Sequence, residues 1–288
     1  MPNRPTRVID AHVHLWDPAR SDWYPYLARP PAHGGDGSGM FRRFDVPTYR
    51  AEAAAWNVEK FVNVAAATGR HSVDETLELD RDARANGGPD AIVGGLPPAE
   101  TVAEAVDFLD RQMQAPRFRG IRPMGGGLDH PVPEAGVLRA LQERDLVFEL
   151  MAHPDQLGPA AAELARFGDL TVVVEHTGWP RTDTDEERAL WRTGLAALAA
   201  LGDNVFCKLS GLAMPFGSMR VEALAPWLEY AIEVFGADRC MFASNFPVDS
   251  ACGTFDELYT TFDAVTAGLT EASREQLFAG TAERVYGL

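Results

Sequence analysis

The stretch VIDAHVH, residues 8–14, is the first of several short apolar segments in the chain and ends in two histidines. Side chains alternate between the two faces of a β-strand, so His12 and His14 share one face with Val8 and Asp10. We expect this face to be the inner face of the sheet, which points into the protein interior. Two imidazoles at the carboxyl end of one strand can converge on a single metal ion or substrate oxygen. The pattern therefore predicts a buried strand that ends in a polar site.

Short apolar segments alternate with helical patterns along the whole chain. Nearly continuous apolar strands separated by helices indicate a parallel sheet covered by helices. Eight such repeats predict an α/β fold, a closed (β/α)8 TIM barrel, and no Gly-x-Gly-x-x-Gly motif follows the first strand to suggest a dinucleotide fold. The predicted strands are Val8–His14, Phe61–Ala66, Ala91–Leu96, Phe118–Arg122, Val147–His153, Thr171–His176, Val205–Ser210 and Cys240–Asn245. The predicted helices are Val73–Ala85, Thr101–Met113, Ala160–Phe167, Glu186–Ala200, Val221–Phe235 and Phe255–Ala267.

The length and composition agree with one soluble domain. A TIM barrel needs about 250 residues, and no shift in composition divides the 288 residues, so residues 1–288 are predicted to form a single barrel domain. A formal charge of −16 repels phosphate backbones and argues against nucleic acid as a partner. The three cysteines form no CxxC pair, and no apolar segment resembles a signal peptide or a membrane span. We therefore expect a cytoplasmic protein that acts on a small molecule, and its oligomeric state stays open.

Two polar residues end later strands of the predicted barrel. His176 shares the parity of Val172 and Val174, which places it at the inner rim if those valines face inward. Arg122 can bind a carboxylate or a lactone carbonyl through its two-pronged guanidinium. Pairing of Arg122 with a neighbouring acid is the alternative. Both residues are candidates for the same site as the two histidines of the first strand.

Four more residues are candidates for the wall of the site. The segment Leu15–Phe44 has no clear element and follows the first strand, so in a barrel it overhangs the mouth of the site. Its aromatic residues, Trp16 and Tyr24 among them, predict a lid or substrate wall, with a disordered surface insertion as the alternative. His153 ends the fifth strand, and Lys208 in the seventh either lines the pocket or belongs to a buried barrel layer. The remaining histidines are expected to be exposed: His33, His71 and His130.

Several segments, in the order of the predicted strands, together resemble the amidohydrolase superfamily. The resemblance is strongest to the branch that includes sugar lactonases and 2-pyrone-4,6-dicarboxylate lactonase, and it covers nearly the whole chain. The segments that carry it are IDAHVHLWDP (9–18), GIR (120–122), VEHTGWP (174–180), KLSG (208–211), RCMFASNFP (239–247) and AERVY (282–286).

This resemblance implies a TIM barrel in which His12, His14 and His176 line the site and can hold a metal ion. In the family an acid at the end of strand eight acts as the general base, and Asn245 occupies that position here. A neutral amide neither accepts a proton at neutral pH nor supplies a charged metal ligand. Some lactonases of this branch work without a required metal. We therefore expect either no required cofactor or one weakly bound divalent cation, zinc, on the three histidines.

Asn245 leaves the identity of the base open. Asp249 is the nearest replacement carboxylate in sequence, and Glu149 is the deeper alternative. The leading hypothesis is hydrolysis of a carboxylic ester bond in a sugar or carboxylated lactone, with Asp249 as base and Arg122 and the two first-strand histidines polarising the carbonyl. A metal-dependent decarboxylase or C–N hydrolase of the same superfamily is the first alternative. A non-catalytic binding protein on a degenerate barrel is the second.

Overall fold

The computed structural model of the chain describes residues 4–27, 40–123 and 130–288. Within these residues eight parallel strands form one sheet, and each strand pairs with the next along the chain. The sheet closes where Val13 bridges Phe246 and the Asn245 N–H donates to the His12 carbonyl at 2.9 Å. The protein is therefore a (β/α)8 TIM barrel, as the sequence predicts. The strands are β1 (Val8–Val13), β2 (Val58–Val64), β3 (Ala91–Leu96), β4 (Phe118–Pro123), β5 (Val147–Leu150), β6 (Val172–Val174), β7 (Val205–Leu209) and β8 (Cys240–Phe242).

Helices connect the strands and cover the outside of the barrel. Local sequence sets where they begin: Asp45 accepts a hydrogen bond from the Thr48 N–H, and Thr254 forms a capping box with Glu257. The helices are α1 (Val46–Glu52), α2 (His71–Asn86), α3 (Val102–Gln112), α4 (Ala135–Gln142), α5 (Pro154–Leu164), α6 (Asp185–Ala199), α7 (Ala213–Phe216), α8 (Val221–Phe235), α9 (Phe255–Val265), α10 (Glu271–Glu275) and α11 (Thr281–Tyr286). Within the three described ranges, none of them combines the length and apolar character needed to cross a bilayer.

Six strands end earlier than the sequence predicts. β5, β6 and β8 stop before His153, His176 and Asn245, so these three residues lie in the loops that follow the strands. In a TIM barrel these loops form the face that carries the active site. The shorter strands therefore place all three candidate residues on that face.

The core of the protein has two parts. A large cluster contains side chains from the strands and the surrounding helices, and a smaller cluster contains side chains from most strands together with Tyr286 of α11. The smaller cluster fills the interior of the barrel, because among the described residues its only helical members come from the C-terminal end of the chain. Glu283 of α11 pairs with Arg7, just before β1. The last helix therefore closes the amino end of the barrel, opposite the candidate site.

The pairing of β1 with β2 slips by one residue between Asp10 and Val13. Before the slip, Val8 packs in the outer cluster, and the Asp10 carboxylate accepts a hydrogen bond from the Tyr49 hydroxyl of α1 at 2.9 Å. The prediction that Val8 and Asp10 share the barrel interior with the two histidines is therefore wrong. An extra residue in one strand reverses the alternation of side chains beyond it. This bulge turns the ring of His12 into the barrel.

Candidate active site

His12 and His14 lie at the end of β1 with their rings close together inside the barrel. Their Nε2 atoms are 3.1 Å apart, and Nδ1 of His14 donates to the Val64 carbonyl at 2.8 Å. Both rings are buried, and burial together with the positive charges of Lys208 and Arg122 lowers the pKa of each ring well below its usual value. Both imidazoles are therefore neutral at pH 7.

Glu175 is the acid at the centre of the site, and the sequence pattern does not single it out. Its Oε1 lies 3.7 Å from Nδ1 of His12, and its Oε2 lies 3.3 Å from Nη1 of Arg122 and 3.9 Å from Nε2 of His176. Val173 rather than valines 172 and 174 faces the interior, so the predicted alternation of β6 is wrong and Glu175 follows Val173 inward. Both faces of this strand are buried and apolar, so its sequence gives no signal of which face is inside.

His176 reaches the same space through a left-handed turn that follows β6. The φ angles are 52° at His176 and 57° at Thr177, a conformation that costs a non-glycine residue about 1–3 kcal/mol. Ser210 Oγ lies 3.0 Å from Nδ1 of His176, and the indole N–H of Trp191 donates to the Thr177 carbonyl at 2.6 Å. Gly211 lets the ring approach, because a Cβ there would lie 2.5 Å from it. These contacts hold the His176 ring with its centroid 4.7 Å from that of His12.

Arg122 is 5% exposed, and its guanidinium donates to Glu175 and to the Ala65 carbonyl. The sequence allows two interpretations of Arg122, substrate binding and pairing with a neighbouring acid. The structure shows the pairing with an acid. Nε of Arg122 and Oε1 of Glu175 are buried and have no hydrogen-bond partner among the residues that the structure describes. Buried polar atoms without partners are rare in folded proteins. These two atoms are therefore candidates for contact with a polar group of a ligand.

Lys208 lies inside the barrel between His12 and the amino end. Its Nζ is 2.7 and 2.6 Å from the two carboxylate oxygens of Glu149, and 3.5 Å from Nδ1 of His12. The Tyr286 hydroxyl donates to the same Glu149 carboxylate at 2.6 Å. Burial raises the pKa of Glu149 to about 7, although the charge of Lys208 opposes this shift. The structure thus shows Lys208 as a residue of the buried barrel layers, the second of its two interpretations from sequence.

Asn245 and Asp249 form a hydrogen-bonded pair in the loop after β8. Asn245 has a φ of 56°, and its Nδ2 donates to Oδ1 of Asp249 at 2.9 Å. Asp249 is fully buried, and burial raises its pKa to about 7, against the lowering effect of the Asn245 hydrogen bond. Within the described part of the chain, Oδ1 of Asn245 and Oδ2 of Asp249 are buried without a hydrogen-bond partner. The pair therefore has two acceptor atoms available for a ligand or a water.

Two tryptophans border the histidines. Trp16 stacks on His14 with 5.7 Å between ring centroids and 7° between ring planes. Trp179 stacks on His153 at 4.7 Å and lies edge-on to His176 at 5.8 Å. Nδ1 of His153 is also 3.0 Å from the Trp179 carbonyl oxygen. The sequence pattern does not single out Trp179 as a site residue, although Trp179 belongs to the VEHTGWP segment that carries the family resemblance.

The other predicted loop residues have different surroundings. Tyr24 is buried, and its hydroxyl donates to Glu75 of α2 at 3.1 Å, so this hydroxyl holds the loop against α2. His71 is half-buried, and its ring stacks on the indole of Trp23 in the same loop with 5.3 Å between ring centroids. The prediction that His71 is exposed is therefore wrong. His130 is exposed, as predicted. His33 and the glycine-rich part of the predicted lid lie outside the described residues.

Three residues of the site form a group that fits a divalent cation, and His14 lies beside one of them. Ligand atoms of His12, Glu175 and His176 lie within 4.8 Å of one another, and Nε2 of His14 is 3.1 Å from Nε2 of His12. Two nitrogen ligands of a tetrahedral Zn²⁺ lie about 3.3 Å apart when each bond is about 2.0–2.1 Å. Burial lowers the pKa of His176 to about 3, so this ring is neutral and offers a lone pair as well. Glu175 adds to the predicted ligands the charged oxygen that Asn245 does not supply.

Comparison with known proteins gives concordant matches over nearly the whole chain. A family model described as amidohydrolase matches residues 9–288. An uncharacterized protein of Sinorhizobium fredii is 32% identical over 296 aligned residues, which cover 97% of this chain and 98% of that protein. An L-fucono-1,5-lactonase of Burkholderia ambifaria is 30% identical, and the alignment covers 86% of this chain and 83% of the lactonase.

A solved structure agrees with these matches. An amidohydrolase from Burkholderia multivorans, crystallised with bound zinc, superimposes with a TM-score of 0.81 at 29% identity and covers 98% of this chain and 99% of its own. The family match includes all the site residues described above. The chain therefore belongs to the amidohydrolase family, and it is a hydrolase of the amidohydrolase type.

Proposed function

We propose that this amidohydrolase opens a lactone by hydrolysis of its carboxylic ester bond, with sugar lactones and carboxylated lactones as the substrate classes. Two buried polar atoms support this proposal best: Nε of Arg122 and Oε1 of Glu175. Both lack hydrogen-bond partners among the described residues, and both lie beside neutral imidazoles. Fixed donors in a buried site stabilise the negative charge that a carbonyl oxygen acquires during hydrolysis. The relative named L-fucono-1,5-lactonase supports a sugar lactone.

The residues of the site suggest how the reaction proceeds. As a water oxygen bonds to the carbonyl carbon, the water gives one proton to a base, and the carbonyl oxygen becomes an oxyanion. Arg122 donates a hydrogen bond to that oxyanion, and so does the N–H that otherwise joins the Nε2 atoms of His12 and His14, once it turns from the neighbouring ring to the substrate. The ring C–O bond then breaks, and the departing alkoxide takes the proton back from the base to give a hydroxy acid. A divalent cation on the histidines and Glu175 would polarise the carbonyl when bound.

Asp249 is the base that we favour. Its pKa of about 7 suits proton transfer at neutral pH. Oδ2 of Asp249 has no hydrogen-bond partner in the described part of the chain. Glu149 has a similarly raised pKa, but both of its oxygens bind Lys208 and one also accepts from Tyr286. Glu149 therefore has less capacity to take a proton from a substrate water.

The side wall of the site suits a ring-shaped substrate. Trp179 and His153 are half-buried and stack on each other at the loop face of the barrel. Flat rings at a partly open position can pack against the apolar C–H face of a sugar or pyrone ring. This wall supports a cyclic substrate of small size.

A panel of lactones tests this proposal. The purified protein is incubated with sugar lactones and with pyrone carboxylates, and acid release is followed with a pH indicator. We expect at least one lactone to be opened much faster than by the variant His12→Ala/His14→Ala, which serves as the blank for spontaneous hydrolysis. Equal rates for the wild-type protein and the blank on every lactone would contradict the proposal.

Removal of metal is expected to leave most of the activity. The positive charges of Lys208 and Arg122, which lower the pKa of the three rings, also oppose a cation at the same place, and Arg122 shares the charge of Glu175. We therefore predict at most one weakly held cation, measured by elemental analysis before and after dialysis against a chelator. A stoichiometric zinc that survives dialysis, and whose removal abolishes turnover, would instead favour a metal-dependent decarboxylase or C–N hydrolase.

Arg122→Lys tests whether Arg122 binds the substrate. Lysine keeps the positive charge beside Glu175 but loses the planar fork that binds a carboxylate or carbonyl with two hydrogen bonds. We expect KM to rise about 10–100-fold because the grip on the substrate weakens, and kcat to fall as well because Arg122 also donates to the oxyanion. Steady-state kinetics on the lactone found in the panel give both constants. An unchanged KM would assign Arg122 to holding Glu175 alone.

A further inference from the structure

We propose that a directed chain of hydrogen bonds, starting at Lys208, holds the proton of His12 on Nε2, and that Lys208 thereby weakens metal binding by the His12–His14 pair. The hydrogen-bond chain has three steps. Lys208 Nζ is 3.5 Å from Nδ1 of His12, the Nε2 atoms of His12 and His14 are 3.1 Å apart, and Nδ1 of His14 is 2.8 Å from the Val64 carbonyl oxygen.

The two ends of this chain fix its direction. The Lys208 ammonium has only N–H donors, and the Val64 carbonyl oxygen is only an acceptor. His14 must therefore carry its proton on Nδ1, which leaves a lone pair on its Nε2. His12 must carry its proton on Nε2 to donate to that lone pair, and its Nδ1 accepts from Lys208. Each neutral ring has one proton, and each has a single position that satisfies both of its neighbours.

The opposite arrangement of His12 has worse contacts. A proton on Nδ1 would face the Lys208 ammonium, and two ring lone pairs would then face each other across 3.1 Å. Glu175 Oε1 is the acceptor that would favour this arrangement, but it lies 3.7 Å from Nδ1. Within residues 4–27, 40–123 and 130–288, this oxygen has no hydrogen-bond partner. The contacts of His12 therefore favour the proton on Nε2.

Lys208 is held in place from the amino end of the barrel. Its ammonium is fully buried and bound by both oxygens of Glu149, and Glu149 also accepts from the Tyr286 hydroxyl of α11. The chain contains two lysines, and the other one, Lys60, is partly exposed in β2. Burying an ammonium is costly, so an apolar side chain would fill this position at lower cost if packing were its sole role. Lys208 therefore has the contacts of a positioning residue for His12.

This proton order opposes a metal ion at the two histidines. A metal bound by both Nε2 atoms needs a lone pair on each of them, so the proton of His12 must leave or move to Nδ1. On Nδ1 it would lie next to the Lys208 ammonium, and that ammonium also repels the cation directly. This proton order belongs to the metal-free resting protein and does not depend on which substrate the site takes.

Nitrogen NMR of the metal-free wild-type protein tests the proton order. The histidines are labelled with ¹⁵N, and two-bond ¹H–¹⁵N spectra at one pH distinguish rings protonated on Nε2 from rings protonated on Nδ1. The variants His12→Gln and His14→Gln assign the two signals by their absence. We expect His12 protonated on Nε2 and His14 on Nδ1. A His12 signal from the Nδ1-protonated form would overturn the proposal.

Zinc affinity tests the role of Lys208. The double variant Lys208→Met/Glu149→Gln removes the ion pair without leaving one buried charge alone, and Lys208→Gln is a milder second variant whose amide can still donate to Glu149. Zn²⁺ binding is measured by competition with a coloured chelator, in the absence of substrate. Substitutions behind metal ligands change affinity about 10–100-fold, and we expect both variants to bind Zn²⁺ tighter by this factor. Lys60→Met is the matched control and should bind like the wild type. Equal or weaker Zn²⁺ binding by a folded Lys208 variant would overturn the role of Lys208, whatever the lactone assays give.

Discussion

Replacing His12 and His14 together with alanine is expected to lower turnover at least about 10³-fold while the barrel still folds. The two rings supply the imidazole donor for the oxyanion, and loss of one such donor alone costs about 10²–10³ in kcat. Their removal also breaks the hydrogen-bond path from Lys208 to the Val64 carbonyl. The apolar interior layer does not contain either ring, so the barrel keeps its core. Initial rates on the lactone substrate and thermal unfolding followed by circular dichroism measure the two effects.

His130→Ala is the control for this double variant. His130 is exposed, and the same kind of substitution there should leave both the rate and the unfolding temperature unchanged. A folded double variant that retains wild-type turnover would show that the reaction takes place elsewhere. Loss of folding in the double variant would call for His12→Gln and His14→Gln, which fill the space and should still lower the rate.

Replacing Asp249 with asparagine is expected to lower kcat about 10²–10⁴-fold, the usual contribution of a general base. A base acts when it is deprotonated. Because burial raises the pKa of Asp249 to about 7, the wild-type rate should rise with pH through that value. Asparagine cannot titrate, so the variant should lack this rise. Steady-state rates on the lactone between pH 5 and pH 9 give the profile.

Stability separates this loss of activity from a folding defect. The pKa of Asp249 is higher in the folded protein than its ordinary value of 3.8, so the folded state binds the proton more tightly than the unfolded chain does. The stability that this group contributes is therefore present at low pH and is lost as the pH rises toward about 7. Asp249→Asn carries no charge and should unfold at the same or a higher temperature than the wild type at pH 8.

The exposed Asp203→Asn is the control. Full activity of Asp249→Asn with an unchanged acidic limb would place the base elsewhere, and Glu175→Gln would then be the next variant.

The fold follows from patterns that the sequence carries locally. Short apolar segments separated by amphipathic ones predict eight strands and a closed barrel, and the structure confirms both. The family resemblance, read from segments such as IDAHVHLWDP and VEHTGWP, is confirmed by the family match over residues 9–288. These predictions succeed because strand periodicity, helix periodicity and short family motifs are all properties of residues that are neighbours in the chain.

The prediction that His12 and His14 point inward agrees with the structure for a reason that the sequence does not contain. Simple alternation also puts Val8 and Asp10 inside, but both face the outer layer because β1 has a bulge. The bulge depends on how β1 pairs with β2 and β8, and such pairing is a tertiary interaction. The sequence therefore predicts the inward position of the two histidines correctly, although strand alternation alone does not include the bulge that causes it.

The sequence by itself determined the barrel, the family and the residue types that end the strands. The tertiary structure decided which of those side chains meet. Glu175 enters the site because β6 presents Val173 to the interior of the barrel. The sequence does not reveal this orientation, because valines occupy both faces of that strand and are equally apolar. Lys208 meets Glu149 and His12 because three strands and the last helix converge inside one closed barrel. Local patterns report how a segment is folded, but contacts among residues from distant strands depend on register and closure, which are set only when the whole sheet has formed.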